Sequence, residues 1–324
     1  MRRRRIALVL LAGLLLSAPA RAWDSRGHQV VAEIALADLT ARTRAAVFAL
    51  LDADKRPFRL SPEAPPFQAA ARWPDDIRDL QRFDRRLRPG DVHAEWHYVN
   101  QAFVPDDQRG KPGIRPVRRE SPNVITQIGE AVRTLKSKQA SRKDRFVMLC
   151  WLEHLVGDIH QPLHGITRHT LANGDGDRGG NQFYVLHNGE LFNLHAFWDN
   201  ILDIAGDRGQ SVEETARALR AEFPRSRFPA LAGPVEDWAT ESFRLRNAVY
   251  FTPEPNPRPL PGTDVEESLR DNPRKTEEVK ARLAGTPLPA AYVNRAHRVA
   301  RERMAMAGYR LADLLNSIFD PGGR

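Results

Sequence analysis

Apolar residues recur at helical spacing along most of the chain. Between residues 25 and 52, Val30, Val31, Ile34, Ala35, Leu39, Val47, Leu50 and Leu51 mark one face, which predicts one or two helices with Ser25 as an N-cap. The same periodicity predicts helices over Asn123–Lys138, Arg142–His160, Ala196–Ile204, Val212–Phe223, Val235–Val249, Thr276–Leu283 and Pro289–Phe319. One stretch departs from this pattern. Gln182–His187 and Glu190–Leu194 flank Asn188-Gly189, a dipeptide that supplies the two positive-φ positions of a tight turn, so these runs are expected to pair as a hairpin that ends at His195. The Pro- and Gly-rich stretches Val104–Pro122 and Thr252–Gly262 read as long surface loops. The expected fold class is therefore mainly α: a single helical domain carrying one small β-hairpin.

The first 22 residues change the picture of where this domain begins. Arg2 to Arg5 precede an apolar run from Ile6 to Leu16, and Ala20-Arg21-Ala22 fits a small-x-small cleavage site. Residues 1–22 are expected to be a cleaved signal peptide, leaving 23–324 as the mature domain, which starts at Trp23. The apolar run is too short to span a bilayer, so an exported, periplasmic or secreted protein without stable membrane association is expected. The formal charge of +8 shrinks with the leader, because five arginines leave with it and 44 basic side chains then face 41 acidic ones. Charge alone is thus weak evidence for nucleic acid as a partner. Basic runs such as 82–88 and 115–119 read as solvated faces. Cys150 is the sole cysteine, which excludes an intrachain disulfide and a cysteine-based zinc site.

Two segments carry the candidate chemistry, His154-Leu-Val-Gly-Asp158-Ile-His160-Gln-Pro-Leu-His164 and His195-Ala-Phe-Trp-Asp199. Each pairs a His with an Asp four residues on, which in a helix places imidazole and carboxylate on one face, as two ligands of one cation require. Tetrahedral zinc needs about four donors. Further donors stand at His28, at Asp75 in Trp73-Pro-Asp75-Asp-Ile-Arg78, and at His97 in Glu95-Trp-His97-Tyr98. A lone histidine on an apolar face reads as packing; five histidines and three aspartates in apolar surroundings read as a metal centre.

Taken in order, Trp23, Gly27-His28, Trp73-x-Asp75-x-x-Arg78, Trp96-His97-Tyr98, the His154–His164 segment, Gly179-Gly180-Asn181 and Asn193-Leu-His195-x-x-Trp198-Asp199 resemble the zinc-dependent single-strand nuclease and 3′-nucleotidase family of fungal and plant bifunctional nucleases and their bacterial relatives. That family shares its helical fold with bacterial zinc phospholipase C. The resemblance implies three zinc ions. One would be held by Asp75, His97, His154 and Asp158; a second by the α-amino nitrogen and carbonyl oxygen of Trp23 with His28 and the other oxygen of Asp158; a third by His164, His195 and Asp199. An α-amino group, with a pKa near 8, coordinates only when freed from an amide and deprotonated, so leader cleavage would complete the second site. The resemblance further implies attack of a zinc-activated water on phosphorus, with Asp75 orienting it, Arg78 clamping phosphoryl oxygens and the third zinc steadying the departing 3′ oxygen. The implied substrates are single-stranded RNA and DNA, cut to 5′-phosphorylated products, and 3′-mononucleotides.

Tyr98 and Asn100 fall where the family places its base pocket, as a stacking ring and an edge-reading group, with core packing as the rival for Tyr98. Asn181 shapes its loop or contacts substrate. His160 is assigned to packing beside the ligands, and His93, His169, His187 and His297 to surface or loop positions. Two other functions fit the same ligands: a phospholipase C, against which Arg78 and the Tyr98–Asn100 stretch speak, and a zinc protein without catalysis. No protein partner is implied.

Overall fold

The computed structural model describes residues 23–52, 60–81, 92–229, 231–250, 273–285 and 287–323. The leader at 1–22, the basic run at 82–88 and the loop at 252–262 lie outside them. In chain order the helices are α1 Ser25–Ala37, α2 Ala41–Asp52, α3 Pro66–Gln81, α4 Val124–Lys136, α5 Arg142–Asp158, α6 Leu194–Asp199, α7 Ile201–Ile204, α8 Val212–Glu222, α9 Val235–Arg244, α10 Arg246–Val249, α11 Pro273–Leu283 and α12 Ala290–Phe319. Four short strands, β1 Ala102–Phe103, β2 Thr167–Arg168, β3 Tyr184–His187 and β4 Glu190–Asn193, form two two-stranded sheets, β1 parallel to β2 and β3 antiparallel to β4. The mainly α class holds, and the hairpin register Tyr184↔Asn193 to His187↔Glu190 is the one Asn188-Gly189 predicts, with φ of 50° and 79° at the turn.

Helix ends follow local chemistry. The 25–52 pattern is broken into two helices, and Asp24 rather than Ser25 caps the first, its carboxylate accepting from Gly27 N at 2.7 Å. Asn123 caps α4 in a reciprocal arrangement with Thr126, and Ser141 caps α5. The region 196–204 is likewise two short helices, the first capped by Asn193, the last residue of β4.

Helix α3 is not visible in the apolar periodicity, and Pro74 lies inside it. Proline removes one ladder donor and crowds the preceding turn. The neighbouring carbonyl of Ala71 is turned to another use, accepting from His154 Nδ1 at 2.8 Å.

Helix α5 is the centre of the core. Phe146, Leu149, Cys150, Trp151, Leu152, Leu155 and Val156 are all buried on it, and it packs against α1, α3, α4 and α12. Fully burying each large apolar side chain contributes about 1.5–3 kcal/mol, so this helix is fixed along its length and its last turn is a rigid platform. Burial raises the Cys150 thiol pKa, with Glu153 adding to it, and the cysteine is an unreactive packing residue. A buried polar network then holds the chain just past α5. Arg303 donates to the His160 carbonyl at 3.1 Å and, with Arg310, clasps Glu241 at 2.7 Å; Arg310 also donates to His160 Nε2 at 2.9 Å. His160 is therefore packed and hydrogen-bonded away from the ligands, as expected. His169 differs from expectation: it is fully buried, its Nδ1 on the Gly174 carbonyl at 3.0 Å, because the loop 170–176 folds over it.

Candidate metal centre

Four chain segments converge at the end of α5: the start of α1, the second half of α3, a 3-10 turn at Ala94–His97, and the hairpin exit into α6. Three sets of donor atoms lie within 4.8 Å of one another, His28–Asp75–His154, His97–His154–Asp158 and His164–His195–Asp199, with every residue buried. All eight side-chain ligands that the sequence singles out therefore meet, and His154 belongs to two sets.

The third set is the most informative. His164 Nδ1 lies 2.6 Å from the His97 carbonyl and His195 Nδ1 lies 2.7 Å from the Gly179 carbonyl. A carbonyl oxygen only accepts, so both Nδ1 atoms carry the proton and both Nε2 atoms carry a lone pair when the rings are neutral. Burial favours the neutral form of both, lowering both pKa values, that of His195 to about 3 with His164 as the next cause. The two Nε2 atoms nonetheless stand 3.1 Å apart, with Asp199 Oδ2 at 3.7 Å from that of His195. Two lone pairs and a carboxylate facing one another repel unless a cation lies among them. Asp199 gives the same indication from the other side, its pKa raised well above the usual range by burial and by nearby carboxylates, although Gln161 donates to its Oδ1 at 2.7 Å. The residues fit a divalent ion of borderline softness.

The first two sets share His154, and both lie against Asp158. Its Oδ2 lies 3.0 Å from His97 Nδ1 and 3.3 Å from His154 Nε2, while its Oδ1 lies 3.3 Å from His28 Nε2, so the carboxylate spans two groups of nitrogens as a bridging ligand would. Burial would raise the Asp158 pKa, but His154 and then His164 outweigh it and hold the group ionised. Burial lowers the His97 pKa to about 4, and that of His28 falls for the same reason with His154 adding to it. The His28 ring stacks on that of His154 with centroids 3.9 Å apart, and its Nδ1 has no hydrogen-bond partner. Each buried polar group left so costs about 1–3 kcal/mol, a cost that metal coordination removes.

Asp75 directly follows Pro74 in α3, its Oδ1 3.9 Å from His154 Nε2 and 3.0 Å from Arg78 Nη2. Burial would raise its pKa, but Arg78 and then His154 and His97 bring it below the ordinary value. Trp23 is wholly buried, its indole donating to the Gly157 carbonyl at 3.0 Å, and the next residue is tied by Asp24 N to the Asp199 carbonyl at 3.0 Å. Of the substrate candidates, Tyr98 is 39% exposed beside the ligand His97, so the core-packing alternative is not what the structure displays. Asn100 is half-buried, its Oδ1 accepting from Thr167 at 2.8 Å, and Asn181 donates to the Arg178 carbonyl at 2.8 Å. Sequence reasoning missed Gln161 as the support of Asp199, and missed the carbonyls of Ala71, His97 and Gly179. The polar, buried setting of Gln161 between Asp158 and His164 was the available signal for the first.

The S1/P1 nuclease family model matches residues 23–320. Nuclease S1 of Aspergillus oryzae is 23% identical over 320 residues, covering 97% of this chain and 98% of that protein. Endonuclease 4 of Arabidopsis thaliana is 26% identical over 337 residues, covering 98% and 95%, and endonuclease 2 of the same plant is 25% identical over 331 residues, covering 97% of each.

Proposed function

The chain belongs to the S1/P1 nuclease family, a zinc-dependent family of phosphodiester hydrolases, and on that premise we propose that it is an exported endonuclease of single-stranded RNA and DNA that holds three zinc ions. Its cleavage yields 5′-phosphorylated products and, on 3′-mononucleotides, nucleosides. The observation that carries this reading is the His164–His195 pair, whose proton-free nitrogens face each other across 3.1 Å. Among the described residues no helix is long and apolar enough to cross a membrane.

Asp75, His97, His154 and Asp158 would hold one ion; Trp23, through its freed amine and carbonyl, His28 and Asp158 a second; His164, His195 and Asp199 the third. When bound, zinc activates water near neutral pH and offsets charge on the phosphoryl group and the departing oxygen. Asp75, kept ionised by Arg78, accepts a hydrogen bond from the attacking water and aims it at phosphorus. Arg78 offers a planar guanidinium to the phosphoryl oxygens. Tyr98 presents an accessible ring on which a splayed base stacks, an arrangement open to single strands and closed to a paired duplex. Asn100, with its oxygen engaged by Thr167, has its amide hydrogens left to read a base edge, and Asn181 contacts the sugar-phosphate chain.

Elemental analysis of processed protein, followed by assays on single-stranded DNA, RNA and 3′-AMP, tests this. About three zinc ions per chain and 5′-phosphorylated products are expected. A value near one ion per chain, or hydrolysis of choline lipids without nuclease activity, would refute the proposal.

A further inference from the structure

Residues 178–180 are three successive left-handed residues, with φ of 53° at Arg178, 64° at Gly179 and 83° at Gly180. The two glycines have a local reason: a Cβ on Gly179 would lie 2.5 Å from the Leu163 carbonyl oxygen, and one on Gly180 would press on the Leu163 side chain at 3.3 Å. Arg178 alone carries a side chain through this conformation, which an L residue adopts only against the clash of its Cβ with the following carbonyl. That side chain is exposed, so packing does not offset the cost. Its carbonyl accepts from Asn181 N and Nδ2, bonds that any residue at this position would provide. The fold therefore has no use for the guanidinium.

Its position suggests another use. The carbonyl next along the chain, that of Gly179, is the one that orients His195. The Arg178 carbonyl in turn holds Asn181, beside the two glycines that pass close under Leu163 and on to the third donor set. Arg178 thus stands exposed one residue from the carbonyl that fixes a member of the third donor set. In the reaction proposed above, water adds to phosphorus, the P–O3′ bond breaks, and the 3′ oxygen leaves from the third set with the upstream nucleoside. In a chain this nucleoside bears its own 5′-phosphate; in a 3′-mononucleotide it bears none.

We propose that Arg178 is a specificity-determining residue that takes the 5′-phosphate of the nucleotide carrying the leaving 3′ oxygen, and so distinguishes a nucleic-acid chain from a 3′-mononucleotide. The inference rests on the assignment of His164, His195 and Asp199 to the leaving-group side.

The test compares two thymidine dinucleotides, one with a 5′-phosphate on its upstream residue and one with a 5′-hydroxyl. The wild-type enzyme should show a KM about tenfold lower for the phosphorylated one, the size expected of one charge-assisted contact at a partly exposed site. Arg178→Gln should erase the difference, and Arg178→Lys should keep most of it. Arg178→Gly relieves the backbone yet should behave like Arg178→Gln. Binding of a phosphorothioate oligothymidine, followed by fluorescence anisotropy, should lose about 0.7 from its log–log salt slope in Arg178→Gln, one released counterion on a single strand. A preserved 5′-phosphate preference in Arg178→Gln would overturn the proposal. So would equal losses on both dinucleotides or a fall in zinc content, which would assign the residue to holding the loop. If the wild-type enzyme cleaved neither dinucleotide, the nuclease reading would fail instead, and the binding measurement, made with and without the 5′-phosphate, would still read Arg178.

Discussion

Gly157→Ala is a one-methyl test of how tightly the centre is built. A Cβ at this position would lie 2.8 Å from His28 Nδ1 and 3.0 Å from its Cε1. His28 cannot retreat, because its other face is stacked on His154 at 3.9 Å, and the Trp23 indole is bonded to the Gly157 carbonyl. Two effects then compete. Replacing glycine by alanine inside a helix gains about 1 kcal/mol, while forcing a methyl into a filled core costs about 1–3 kcal/mol. The balance is a net loss of about 1 kcal/mol in metal-free protein, or roughly 2–4 °C in Tm. Metal-loaded protein should lose more, because on the proposed assignment a displaced His28 weakens the second ion, and a tenfold weaker site removes a further 1.4 kcal/mol or so of linked stability. Thermal unfolding with and without chelator, beside zinc titration by elemental analysis, separates the two losses. If the variant binds three ions with wild-type affinity and unfolds as the wild type does in both states, the reasoning from this contact is wrong.

Other consequences are equally direct. Protein made with an additional methionine before Trp23 should bind one zinc more weakly, because its first amine is displaced from the site; equal loading of both forms, read by competition with a chelating dye, would exclude the amine as a ligand. Glu241→Ala leaves Arg303 and Arg310 buried without their carboxylate and should cost about 3 kcal/mol in denaturant unfolding, with Glu241→Gln losing less. Asp207 accepts from His297 and Arg301 at 2.6 Å each, and although burial would raise its pKa, these partners hold it below the ordinary value near 4. Its contribution is therefore fully present above that ordinary value and lost as pH falls through the depressed folded one. The stability gap between wild type and Asp207→Asn should be constant above about pH 5 and shrink below pH 4; a gap that widens on acidification would reverse the sign.

The candidate ligands are legible in the sequence because their chemistry forces a spacing. Imidazole and carboxylate four apart on a helix must face one way, so His154 with Asp158 and His195 with Asp199 declare themselves by spacing alone, and Asn188-Gly189 similarly declares the hairpin that delivers the second pair. Helix α3 is not legible, since Pro74 argues locally against the helix that tertiary packing imposes. Nor are the carbonyls of Ala71, His97 and Gly179, for a backbone oxygen has no signature in a sequence. His169 is misplaced by sequence reasoning because whether a polar ring is covered depends on a loop folding over it. The strain at Arg178 is hidden too: its neighbours Gly179 and Gly180 announce a left-handed turn, but not that the turn begins one residue earlier.

His97 occupies an unusual place among these groups, with its ring in the Asp158 set and its carbonyl fastening His164 in the other. Mutational bookkeeping must respect this. Deleting its imidazole keeps that carbonyl but removes the ring that anchors its turn against Asp158, so the damage from His97→Ala should extend to His164. Combined with His164→Ala, the two losses should sum to less than their separate values. Partly emptied enzyme is then a distorted whole, not an intact machine lacking one part.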